Sequence, residues 1–364
     1  MAYTNIDDPS AHFQTDLYTG TGSELAITND GNSDLQPDWI WIKNRTDAST
    51  NHHAHDTSRG TTATLFVNKT DAEETQSQSV KSVQSDGFTL GTWDGNNISS
   101  KNFVAWQWKA NGGTTTSVSA SGTGSGCVNA CTHQANTTAG FSIITYTGRD
   151  DQLNNGQHSL LKHGLGVVPT FIILKRRDAT ADWYVMGKKV TSASAYSNNE
   201  YLSLNDTDAI NGNSYTGSVA PTSTDIYLGN ELVNVASSTY LMYAFAEKQG
   251  YSKFGKYVGN SNDNGTFVYL GFKPRWLMIK STQAGMSWDI IDTARSTSNV
   301  MDDYLTANTT DPQGTSSTKN IDFLSNGFKC RDDNNINFSD HTYIYMAFAE
   351  NPFTTSTGVP CTAR

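Results

Sequence analysis

The stretch Pro37-Asp38-Trp39-Ile40-Trp41-Ile42-Lys43 returns twice in altered form, as Pro169-Thr170-Phe171-Ile172-Ile173-Leu174-Lys175 and as Pro274-Arg275-Trp276-Leu277-Met278-Ile279-Lys280. Proline has no N–H to donate, so it belongs at the first position of a strand. The run behind it is apolar without alternation, which predicts burial on both faces. Each copy is therefore read as a central strand of a sheet, not an edge.

Outward from these strands, further landmarks recur in one order. A Tyr-x-Gly turn opens each copy, at Tyr18-Thr19-Gly20, Tyr146-Thr147-Gly148 and Tyr257-Val258-Gly259. A more variable strand follows the proline strand, over 52–59, 183–189 and 288–295. Its first and third versions share Asp-Thr-x-Arg (Asp56 to Arg59, Asp292 to Arg295), which the second lacks. Then comes Leu-x-x-Asn-x-Thr-Asp, with Leu65, Asn68, Thr70 and Asp71, then Leu202, Asn205, Thr207 and Asp208, then Leu305, Asn308, Thr310 and Asp311. Asn and Asp in such places close side-chain turns onto the backbone. Ser85-Asp86-Gly87 and Ser325-Asn326-Gly327 are hairpin signals, with 225–229 a looser counterpart. An aromatic strand ends each copy, near Trp106-Gln107-Trp108, Tyr243-Ala244-Phe245 and Tyr345-Met346-Ala347-Phe348.

The composition agrees with strands joined by turns. Asp, Glu, Lys and Arg make up only 16% of the 364 residues, and Gly, Ser, Thr and Asn crowd the intervals between apolar runs. The formal net charge of −10 offers no basic stripe for phosphates, which speaks against nucleic acid as a partner. No apolar run approaches a membrane span, so no membrane insertion is expected, and Met1 to Pro9 lacks the basic and apolar regions of a signal peptide. Four cysteines are too few for a disulfide scaffold of this length.

The expected fold class is all-β, with three tandem antiparallel β-sandwich domains of jelly-roll or lectin-like kind. The expected division is an N-terminal arm over 1–17 suited to docking on a particle, sandwiches over 18–110, 139–248 and 249–355, and a C-terminal tail over 356–364. A Gly/Ser/Thr-rich linker over 111–138 would be flexible, and the second and third sandwiches, which abut, would form one rigid unit.

Several of these stretches resemble a repeat of virion and tail-fibre proteins of marine phages, including those of cyanobacteria and pelagic bacteria. They are His12-Phe13-Gln14-Thr15 through Tyr18-Thr19-Gly20, Gln36-Pro37-Asp38-Trp39, Ser85-Asp86-Gly87-Phe88, Trp106-Gln107-Trp108-Lys109-Ala110-Asn111-Gly112-Gly113, Ala139-Gly140-Phe141 and His163-Gly164-Leu165-Gly166. The resemblance implies concanavalin-like sandwiches on a phage particle, in a homo-oligomer for which a trimer is the common arrangement. It supplies no catalytic residues.

Four clusters carry candidate chemistry. His53 and His55, next to His52 and alternate on a strand, share a face but fall short of a tetrahedral metal site, so they are read as a surface-facing rim. Cys127 and Cys131 with His133 give only three local ligands and are read as free thiols or a small disulfide loop. Glu247 and Glu350 match in position, but the first copy has Trp108 there, so they are read as domain-end carboxylates rather than a hydrolytic pair. The Asp56–Arg59 and Asp292–Arg295 pairs are assigned to turn and loop hydrogen bonds. No catalytic, cofactor or metal residue is assigned, and the ligand-binding residues stay open.

The expected function is non-enzymatic. The chain would be a phage fibre or adhesin subunit on the virion surface, made in the bacterial cytoplasm. It would join other virion proteins through its N-terminal region and contact a host glycan through loops. The alternatives are a structural head-fibre, decoration or tail component, and a polysaccharide depolymerase. The aromatic strands themselves read as core rather than as sugar platforms.

Overall fold

The computed structural model describes residues 2–149, 158–187, 200–212, 219–229 and 231–362. Each repeat builds one large antiparallel sheet. In the first, the strand order is Phe13–Thr19, Asn102–Trp108, Trp39–Asn44, His52–Asp56, Ala63–Phe66 and Glu74–Thr75. The third repeats this order with Ser252–Val258, Thr342–Pro352, Phe272–Ser281, Asp289–Asp292, Asp303–Thr306 and Gly314–Thr315. The second uses Phe141–Thr147, Thr239–Phe245, Phe171–Arg176, Trp183–Met186, Glu200–Ser203 and Asn211–Gly212. Residues 188 and 189, the end of the strand expected over 183–189, lie outside the described residues. The proline strand lies between the closing aromatic strand and the more variable strand each time, a central position as expected.

A smaller sheet covers one face of each large sheet. In the first repeat it is Leu25–Ile27, Gly87–Leu90 and Val80–Gln84, and in the third Phe267–Tyr269, Gly327–Cys330 and Ile321–Leu324. In the second, Ser159–Lys162 pairs with Asp225–Leu228. Gln84 pairs with Gly87, and Leu324 with Gly327, so Ser85-Asp86 and Ser325-Asn326 are two-residue hairpin loops.

Strand periodicity explains the uninterrupted apolar runs. Ile40 and Ile42 face the small sheet of the first repeat, while Trp39 and Trp41 point the opposite way. Ile172 and Leu174 divide from Phe171 and Ile173 in the same manner, as do Leu277 and Ile279 from Trp276 and Met278. The second set from all three repeats meets in one central core. There Trp39 stacks on Trp108 at 4.1 Å and on Tyr243 of the second repeat at 4.2 Å, and Trp108 and Phe245 both reach Phe348 of the third. Three two-layer sandwiches thus surround a shared aromatic centre.

One backbone hydrogen bond recurs at each seam between repeats, and together the seams close a ring. Glu73 N donates to Arg177 O, Ile210 N to Thr282 O, and Gln313 N to Arg45 O, which links first to second, second to third and third to first. The lysine that ends each proline strand is buried and crosses a seam. Lys43 Nζ donates to Thr310 O at 2.8 Å, Lys175 Nζ to Thr70 O at 2.8 Å, and Lys280 Nζ to Asp208 O at 3.1 Å. Burial lowers each of these ammonium groups to about 8. Trp183 Nε1 donates to Phe66 O and Trp288 Nε1 to Ser203 O, each into the preceding repeat, while His52 holds the matching place with its ring turned to the Thr306 backbone.

The other repeated motifs are latches. Tyr18, Tyr146 and Tyr257 donate to Asn96 O, Val233 O and Ile336 O, just ahead of Asn97, Asn234 and Asn337. A Cβ on Gly20, Gly148 or Gly259 would lie 2.1–2.2 Å from the carbonyl of the residue after that asparagine, so only glycine fits. Asn68, Asn205 and Asn308 do not close their own turns. They accept the N–H of His52, Trp183 and Trp288 on the neighbouring strand.

Two expected boundaries are corrected. The segment read as a flexible linker, 111–138, holds strands Thr116–Val118 and Cys131–Asn136, which extend the large sheet of the second repeat past Phe141–Thr147. Its small polar side chains suit an edge position, and composition alone concealed the pairing. The segment read as an N-terminal arm, 1–17, contains most of the strand Phe13–Thr19, paired along its length with Asn102–Trp108, and puts Ile6 and Phe13 into the central core. Thr4 also donates to Gln249 O and Tyr3 to Gly271 O.

Replacing Lys43 by Met keeps the stem but leaves Thr50 O and Thr310 O without their donor. Each buried unmet carbonyl costs about 1–3 kcal/mol. Urea denaturation should show a loss of that order with the slope unchanged.

Candidate functional site

The first repeat departs from the apolar rule at inner positions that its two counterparts keep apolar or small. Pairing registers align Asp16 with Ile144 and Gly255, and Gln107 with Ala244 and Ala347. Asp16 and Gln107 are buried, and Gln107 Nε2 donates to Asp16 Oδ2 at 2.5 Å and to Asn29 Oδ1 at 2.8 Å. Burial raises the Asp16 carboxyl to about 7, aided by the like charge of Asp30 and opposed by Arg275. Gln107 Oε1 and, one residue from Asp16, Thr15 Oγ1 are buried with no hydrogen-bond partner.

This polar patch borders a groove at the seam of the third and first repeats. Two hollows of about 210 and 520 Å³ share Asp30 and Arg275 as a common wall. The first is lined by Asp8, Ser10, Gln14 and Glu350, the second by Thr15, Asp16, Leu17, Thr293 and Thr297. Arg275 is fixed from both repeats, donating through Nη1 to Thr293 Oγ1 at 3.2 Å and through Nη2 to Thr15 O at 3.0 Å.

The equivalent place in the seam of the first and second repeats is filled by the chain itself. Asp38, the counterpart of Arg275, accepts from Ala110 N, Gly112 N and Gly113 N at 2.7–2.8 Å and from Thr57 Oγ1 at 2.7 Å. Gln134, on the strand Cys131–Asn136, donates to Thr57 Oγ1 and closes the gap. Gly112 and Gly113 take positive φ in that loop, which accounts for the Asn-Gly-Gly run.

The clusters singled out from sequence have other roles. His52, His53 and His55 are not a surface rim: all five residues of His52–Asp56 are buried, because the strand lies between two layers. His53 Nδ1 meets Asn96 Oδ1 at 2.6 Å, His55 Nε2 meets Ser79 Oγ and Asn96 Nδ2 at 3.1 Å, and Trp41 Nε1 donates to His52 Nδ1 at 2.9 Å. Burial pushes all three imidazoles down, His53 to about 3. Cys127 and Cys131 are buried and not disulfide-bonded, and burial raises Cys131 to about 11. Among the described residues no three His, Cys, Asp or Glu side chains group as metal ligands. Glu350 lies 3.1 Å from Lys273 Nζ, and Glu247 Oε1 accepts from Phe254 N.

Asp56 and Arg59 form a buried ion pair at 2.6 Å, as do Asp292 and Arg295 at 2.7 Å. Both carboxylates also reach across a seam, where Asp56 Oδ2 accepts from Tyr243 OH and Asp292 Oδ2 from Trp106 Nε1. The remaining seam has Gly187 in the carboxylate position and Met346 in the donor position. The second repeat lacks Asp-Thr-x-Arg where its partner lacks a donor.

The sequence reading does not single out the groove residues Asp16 and Arg275 or Gln107 behind them. The signal was there, since each is polar where an aligned copy carries a smaller or apolar residue.

Fold and groove together define a closed all-β ring of three sandwiches with a polar cleft at the seam of the third and first repeats. The chain belongs to the family described as a domain of unknown function, DUF7483, whose model matches residues 8–352. That match spans all three repeats, so the family's unit is the ring rather than one sandwich. No curated protein matches the chain, and no solved structure does.

Two titrations follow. Asp16 has a folded value above its unfolded one, so its stabilising contribution is complete below about pH 3.8 and fades as pH rises through about 7. In Asp16→Asn that loss disappears, and the variant should gain on the parent between pH 4 and 7 in denaturant titrations. His53 has the opposite sign: its neutral burial stabilises above about pH 6.5, and that contribution falls toward pH 3 as the unfolded chain takes up the proton. His53→Asn should lower the pH slope of stability in that window by about 1.4 kcal/mol per pH unit.

Proposed function

We propose that the chain is a surface protein of a bacteriophage virion, a fibre or adhesin subunit that meets a glycan of the host cell. The observation that carries this reading is the ring. Three copies of a sandwich enclose seven of the eight tryptophans, giving a body whose rigidity comes from packing among repeats rather than from disulfides. The net charge of −10 suits solubility at the high local density of a particle coat. Among the stretches that resemble marine-phage virion repeats, Tyr18-Thr19-Gly20 forms a latch and Gln36 to Trp39 and Trp106 to Gly113 meet at a seam.

The threefold repetition common in fibres is met here within one chain. The large apolar faces that drive self-association are already turned into the shared centre, so the ring is proposed to act as one chain per position. A purely structural head-fibre or decoration role uses the same body without the groove.

Light scattering of the full-length protein should give the mass of one chain, and antibodies to it should label the surface of purified particles. Absence of the chain from particles would remove the virion reading, and a stable three-chain mass would remove the single-ring reading.

A further inference from the structure

The groove at the seam of the third and first repeats is open where its counterpart between the first and second is closed. Asp38 holds the chain's own loop through three hydrogen bonds and accepts a fourth from Thr57 Oγ1, with Gln134 covering the edge. Arg275, in the same position, faces a cavity. A guanidinium carries five N–H donors, and the protein engages two of them. Beside it Thr15, 1% exposed, presents a hydroxyl with no partner, and Asp30 is exposed on the shared wall.

We propose that this groove binds a neutral, hydroxyl-rich saccharide, with Arg275 and Asp30 taking adjacent sugar hydroxyls and the Thr15 hydroxyl completing the contact. The inference rests on the adhesin reading and gives that reading its site. Sugar hydroxyls donate and accept at once, and this wall offers both a donor fork and a carboxylate within one hollow. An anionic ligand would face Asp8, Asp30 and a chain of net charge −10, and a cationic one would face Arg275. An extended peptide is disfavoured, because strand addition needs a free edge and Thr15 O on the edge strand is already taken by Arg275. The combined hollows lie in the size range of small-ligand sites, about 300–1,000 Å³.

The test uses the full-length protein on an array of neutral gluco-, galacto- and manno-oligosaccharides beside uronate-bearing and sialylated ones and a set of extended peptides. Thr15→Val removes only an unpartnered hydroxyl, so its fold should be kept and its melting point should not fall, and Asp30→Asn sits at the surface. Retention of neutral sugars by the parent, with about tenfold weaker binding in each variant, supports the site. Sugar binding that neither variant alters overturns the site and leaves the adhesin reading standing. Binding confined to acidic sugars or to peptides overturns the ligand class. No retained sugar at all overturns both the site and the adhesin reading, in favour of the structural role.

Discussion

A sheet whose strands are apolar on both faces cannot be completed by one covering layer. The small sheets of this chain cover Ile40 and Ile42, Ile172 and Leu174, and Leu277 and Ile279, but Trp39, Phe171 and Trp276 on the alternate face still need burial. Three such faces turned toward one another satisfy that need together. The ring is therefore a consequence of the double-sided apolar pattern, and each sandwich depends on the other two for half of its core.

Polar groups then fix the register of that assembly. Apolar faces alone would slide, but a buried ammonium needs acceptors at set positions, and each of Lys43, Lys175 and Lys280 finds one on the next repeat around the ring. The carboxylates add a second layer of register at two seams. At the third, Gly187 and Met346 have lost acceptor and donor together, which avoids the cost of leaving either one buried alone. A Cβ at Gly187 would also lie 2.4 Å from Thr170 O, so the glycine there is held by backbone crowding as well.

Much of this was readable in the sequence, and for physical reasons. The proline strands announce central positions because an unbroken apolar run has one structural meaning, and Asp86-Gly87 and Asn326-Gly327 announce hairpins because few residues accept those turns. The pairing of Cys131–Asn136 was hidden, since Thr132, His133 and Gln134 on an edge strand look like linker composition. Tyr18-Thr19-Gly20 reads as an opening turn, which hides the end of the strand Phe13–Thr19, whereas Gly20 ends that strand by close approach to Ile98 O. The burial of His53 and His55 was hidden for a different reason. A neutral histidine pair needs Asn96 and Ser79 as partners, and these lie far along the chain.

The ring also explains where a site can arise at all. Perfect threefold repetition would give three equal seams, and each would be filled or open alike. Here one seam is sealed by Asp38 with Ala110, Gly112 and Gly113, while at the next the same backbone position carries Arg275 and the neighbouring core carries Asp16 and Gln107 in place of apolar side chains. Those substitutions weaken the first sandwich, since a buried carboxyl raised to about 7 and an unmet amide oxygen both cost stability. Buried polar residues confined to one repeat also occur at His53 and His55, but there Asn96 and Ser79 satisfy them. At Asp16 and Gln107 the departure borders an open groove and leaves Gln107 Oε1 without a partner, which is why the groove is the place proposed for a ligand.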